Sequence, residues 1–264
     1  MVKFCGSLLI AFSLTVFIGT PCHAQAKIDG YDSGKITIIF EPVFKDKPLM
    51  LHDQYYVDDN NDTLYIDAFR FYMTNFQFDC GHYQKEIHAT RHLFDASDTA
   101  TYTITFDPTP GWEYRELNFT AGVDSVINTS GANEGDLDPV KGMYWTWNSG
   151  YIMAKLEGRS AVCKTLHHEF EFHIGGYKSP YNTDRKVYNL PTSFLWEEKS
   201  DLSNIHFPQI QTHAVIIRIK TDVSAWFRGI SLAKTNNIVI PGKEAAMMAD
   251  NYAKMFSIVE IKRY

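Results

Sequence analysis

His173 stands in the run Glu169 to Ile174, where Phe170, Phe172 and Ile174 alternate with Glu169, Glu171 and His173. Successive side chains of a strand point to opposite faces, so this imidazole shares a polar face with two carboxylates and is not a core group. Such a histidine is either a solvated surface group or a metal ligand. Gly175 and Gly176 follow it directly and leave room for another chain segment to come close. His167 and His168 are neighbours, so on a strand they face opposite ways and cannot chelate together.

Trp145 and Trp147 lie two apart in Met143 to Tyr151 and share one face if that stretch is a strand. Aromatic packing is the plain role for such a pair. An intact indole donates its N–H and has no in-plane lone pair, so an unmodified tryptophan is not an ordinary metal ligand. Glu134, Asp136 and Asp138 alternate in the turn just before, without the length and terminal glutamate of an EF-hand, and read as a solvated loop that positions the tryptophans. Glu169 and Glu171 are about 7 Å apart, as any alternating strand residues are, and do not amount to a glycosidase pair. The chain also has no nucleophile elbow and no HExxH.

The elements that must carry these residues are strands. Alternation marks Lys35 to Phe40, Phe69 to Met73, Ala100 to Phe106, Arg115 to Phe119, Glu169 to Ile174 and Ala214 to Lys220, with turn chemistry at Asp58 to Asp62, Asp107 to Gly111 and Gly175 to Asn182. Many short strands joined by polar turns predict an all-β, antiparallel β-sandwich and not βαβ units. One helix is predicted over Lys243 to Phe256, after Pro241 and Gly242, with Ala245, Met248, Ala249, Tyr252, Met255 and Phe256 turned inward.

The sequence is 264 residues long with a formal net charge of −6 and no basic patch, which argues against a nucleic-acid partner. Lys3, the apolar run Leu8 to Ile18 and the small Ala24 predict a secretory signal peptide over residues 1–24, and hence a periplasmic or secreted protein. A lipid anchor on Cys22 is disfavoured because Gly19 stands where a lipobox needs a leucine-like residue. Residues 25–264 hold no linker or repeat and read as a single domain. Cys80 and Cys163 are the cysteines left in this oxidising compartment, and one disulfide between them is expected, with a pair of copper-binding thiols as the alternative.

The stretch from Phe119 to Gly158, FTAGVDSVINTSGANEGDLDPVKGMYWTWNSGYIMAKLEG, resembles the most characteristic block of the MbnP-like family of exported copper proteins. DAFRFYMTNFQF at Asp67 to Phe78, HLFDASD at His92 to Asp98, EFHIGG at Glu171 to Gly176 and NYAKMF in the late helix are similar to the same family. The resemblance implies a β-sandwich that binds copper through histidines and, in some members, through a tryptophan oxidised to kynurenine by a partner di-haem peroxidase-type protein. Carried over, it implies His173, His92 and His52 as ligands and Trp147 or Trp145 as the modified residue, with Trp147 placed first because it stands nearer the Asn148-Ser149-Gly150 break. Ring opening would expose an amine and a ketone where the indole had no donor pair. The competing reading is a metal-free envelope module that binds a glycan or a protein on an aromatic platform of Trp145, Trp147, Tyr151 and Trp112.

Overall fold

The computed structural model describes residues 34–81, 84–146, 148–196 and 214–264, together with the strand segments 27–28 and 31–32. The expected signal peptide, Cys22, Trp147, His82, His206 and His213 lie outside the described residues.

The protein is a β-sandwich. Its first strands are β1 (Lys27–Ile28), β2 (Tyr31–Asp32), β3 (Ile36–Phe44), β4 (Lys47–Pro48) and β5 (Tyr55–Val57). The middle of the chain gives β6 (Thr63–Cys80), β7 (Gln84–Asp95), β8 (Thr103–Phe106) and β9 (Glu113–Ala121), then β10 (Tyr144–Thr146), β11 (Gly150–Ser160) and β12 (Glu169–Gly175). The last are β13 (Arg185–Leu195), β14 (Val215–Asp222), β15 (Asn237–Ile238) and β16 (Phe256–Arg263). Two α-helices, α1 (Ser125–Thr129) and α2 (Lys243–Tyr252), complete the fold with several 3-10 turns.

One sheet runs β13-β9-β6-β11-β12-β15, with β5 and β7 also on β6 and β10 on β11. The other runs β16-β14-β3-β4, with β8 on β3. Most pairings are antiparallel, as expected; β3 with β14 and β12 with β15 are parallel. Between the sheets Phe40 of β3 meets Phe71 of β6, Phe119 of β9 and Phe256 of β16, at centroid distances of 6.5, 6.3 and 6.4 Å. These near-perpendicular rings fill the core with edge-to-face contacts. A second apolar cluster, built on Tyr72, Leu137, Met143, Tyr151 and Met153, lies on the outer side of the larger sheet. It is roofed by the segment that contains α1, the 3-10 turns at Gly135–Leu137 and Pro139–Lys141, and β10.

Three expectations are corrected. The disulfide is not formed: Cys80 and Cys163 are both free and buried. Cys80 ends β6, whereas Cys163 follows Ser160, which pairs with Leu64 at the start of β6. Sixteen strand residues, on the order of 50 Å, separate these positions, and a disulfide needs Cα atoms within about 7 Å. The same distance rules out a shared copper site on the two thiols. The helix ends at Tyr252 with Ala245, Met248, Ala249 and Tyr252 buried as predicted, and Phe256 instead opens β16 opposite Thr221. The strand predicted from Ala100 starts at Thr103, because Asp98 caps a 3-10 turn over Thr99–Tyr102 through the Ala100 N–H.

Candidate functional site

Phe170, Phe172 and Ile174 are buried, and His173 is on the outer face of the larger sheet beside the roofing segment. Register brings four ionisable residues into one row: Asp95, Arg70, Lys155 and His173 are cross-strand neighbours on β7, β6, β11 and β12. His173 Nε2 is 2.6 Å from Glu157 Oε1, and Lys155 Nζ is 3.3 Å from the same oxygen. The hydrogen bond from His173 holds the Glu157 carboxyl down at about 2 against partial burial, with the Lys155 charge helping. Arg70 is held apart from this group, with Nε 2.8 Å from Asp95 and Nη1 donating to the Lys141 carbonyl at 3.2 Å.

Gly175 explains how the tryptophan segment reaches this face. A Cβ on Gly175 would sit 2.5 Å from Cζ3 of Trp145 and 2.7 Å from the Tyr151 carbonyl oxygen, so the indole rests where a side chain would stand. Gly175 and His173 are two apart on the same strand face, which puts the Trp145 ring about 7 Å along β12 from the imidazole backbone. Trp145 is half-buried and packs with Tyr144, Tyr177 and Ile127 on the outer cluster. β10 holds it through the pairing of Tyr144 with Tyr151. The acidic turn does the structural work expected of it. Asp136 accepts from the Leu93 N–H at the edge of β7, its carbonyl accepts from Tyr72 Oη, and Asp138 caps the turn that leads to β10.

The three expected histidines do not converge. His92 pairs with Met73 and shares the core-facing side of β7 with Phe94, opposite to His173 and three strands away, about 14 Å. Its Nε2 is 2.7 Å from the Thr101 carbonyl oxygen and its Nδ1 is 3.6 Å from Asp136, so both nitrogens face oxygen acceptors. His52 is exposed, in a left-handed backbone conformation at φ 69°, with Nδ1 3.1 Å from Asp67. Asp67 also takes both arms of Arg159, which stands between His52 and Glu157 on that face. Among the described residues no group of three His, Cys, Asp or Glu side chains is placed to hold a metal ion. The aromatic platform is not assembled either: Tyr151 is buried and hydrogen-bonded to the Leu137 carbonyl, and Trp112 sits at the far end of β9 against Trp196.

Sequence reasoning missed Glu157 and Lys155. Their alternation in MAKLEG shows one polar strand face, but only the register with β12 reveals that this face meets His173.

Residues 33–243 match the MbnP family. The chain belongs to that family. Among solved structures, MbnP from Methylosinus trichosporium is similar with a TM-score of 0.53 at 12% identity, over 88% of this chain and 99% of that one. At that identity the likeness is one of fold, and it agrees with the sandwich described above. Among proteins of curated function none matches the chain in sequence. No described helix of this MbnP-family chain is long and apolar enough to cross a membrane.

Proposed function

We propose that this MbnP-family chain is an exported copper-binding protein for copper acquisition or handling, without turnover of its own, and that His173 is its principal histidine ligand. One observation carries the assignment: His173 is held on the roofed outer face by a carboxylate at 2.6 Å, beside the indole that fills the space over Gly175. A carboxylate behind an imidazole is a recurrent way of fixing a metal-binding histidine. His92 is set aside because it lies on the core-facing side of β7, and His52 because it is exposed and its carboxylate Asp67 is shared with Arg159.

The described residues fit one histidine ligand and not a full coordination set, which leaves a role for a modified tryptophan. Trp145, whose ring fills the space over Gly175, and Trp147 are the two candidates. Oxidation to kynurenine supplies an amine and a ketone, and a di-haem peroxidase-type partner is the proposed agent.

Copper affinity measured against a chelator of known strength tests the reading. His173→Ala should lose most of the affinity, and an unchanged affinity would refute the assignment. Mass spectrometry of the peptide spanning residues 143–155 from protein matured in its native envelope should find one tryptophan opened. Two intact tryptophans in copper-loaded native protein would remove kynurenine from the site.

A further inference from the structure

We infer that Glu157 is a positioning residue that fixes the tautomer of His173, so that Nδ1 and not Nε2 is the nitrogen offered to a metal ion. The inference rests on the reading of His173 as a ligand but makes a separate claim about the metal-free protein. A carboxylate only accepts hydrogen bonds, so the imidazole nitrogen 2.6 Å from Glu157 Oε1 must carry the hydrogen. In a neutral imidazole the other nitrogen then bears the lone pair. Among the described residues Nδ1 of His173 makes no hydrogen bond, and the side chain keeps 18% of its exposure.

The surroundings favour this arrangement from every side. Lys155, cross-strand from His173, holds Glu157 Oε1 from β11. Glu171 lies directly opposite Glu157 but is turned to the Asn237 amide at 3.1 Å. Arg159, two residues along β11, is occupied by Asp67, and Arg70 by Asp95. Lys155 is therefore the cation beside Glu157, and His173 the group that carboxylate orients. His92 provides the contrast. Its Nε2 is held by the Thr101 carbonyl oxygen and not by a carboxylate, and its Nδ1 lies 3.6 Å from Asp136 instead of standing clear of other groups.

The test uses the full chain labelled with 15N-histidine, free of metal, near neutral pH. Long-range 1H–15N correlation should show His173 protonated at Nε2 with a lone-pair nitrogen at Nδ1. Glu157→Gln, whose amide oxygen still accepts, should keep that tautomer; Glu157→Ala should lose the preference. Copper affinity should fall ~10–100-fold in Glu157→Ala and less in Glu157→Gln, the range typical of losing a carboxylate that orients a metal-binding histidine. An Nδ1–H tautomer in the parent, or an affinity unchanged in Glu157→Ala where His173→Ala loses it, overturns the inference. Correct tautomers with undiminished copper binding in His173→Ala would instead refute the ligand reading and leave the orienting role of Glu157 standing.

Discussion

At the scale of single residues, chemical type says less than what each polar atom is already doing. His92 and His173 are both half-buried histidines on strands, yet one has oxygen near both ring nitrogens and the other hydrogen-bonds through one and leaves the second clear. The cysteines show the same logic. Burial raises the Cys80 thiol from 9.0 to about 11 and also pushes Cys163 up, so at neutral pH both are protonated and shielded. A maleimide should label neither Cys80 nor Cys163 in the native chain and both of these after denaturation without reductant, read by peptide mapping. Fewer than two would mean that the pair is bonded. Because the folded pKa of Cys80 is the higher one, its neutral form contributes stability fully below pH 9.0 and loses it as pH rises through about 11. Cys80→Ala should therefore show a shallower decline in stability over that window, read from urea midpoints.

At the scale of elements, β12 was legible because a period of two survives in its sequence: Phe170, Phe172 and Ile174 went inward as the alternation requires. The Gly175-Gly176 pair also announced a close approach, and Trp145 and Pro241 do approach there. What arrives at a strand was not legible. Glu157 meets His173 only through the β11–β12 register, which is reset between Ile152 and Ala154, and an irregularity of this kind leaves no mark in composition. The end of α2 was misjudged for a related reason. Met255 and Phe256 continue the helical spacing by chance, while turns closed by the Lys254 and Met255 N–H groups lead the chain into β16. Gly175→Ala tests the element scale directly. Its methyl would meet both the Trp145 ring and the Tyr151 backbone, so destabilisation of about 1–3 kcal/mol is expected, with a displaced Trp145 indole N–H resonance and weaker copper binding. An unshifted resonance would show that the indole does not depend on the missing side chain.

For the whole molecule, the sandwich hangs on aromatic contacts between its sheets. Phe40 is fully buried and touches rings from both sheets, so Phe40→Ala should cost about 3–5 kcal/mol in chemical denaturation, more than an exposed aromatic such as Tyr188. A loss below 1 kcal/mol would mean that the sheets are joined chiefly elsewhere. The parallel pairing of β3 with β14, flanked by β16, has a consequence for how the chain reaches this state. The smaller sheet is stitched from strands near residues 40, 218 and 260, so its β3–β14 pairing closes a loop of well over a hundred residues. Such high contact order slows folding, since the entropy of closure is spent before the contacts reward it. A ribosome delivers β3 with its neighbours β4 and β8 long before β14, leaving one edge of β3 unpaired until the last fifth of the polypeptide arrives. An emerging chain of this design cannot close the smaller sheet until β14 and β16 have been made, which suits the export proposed for it.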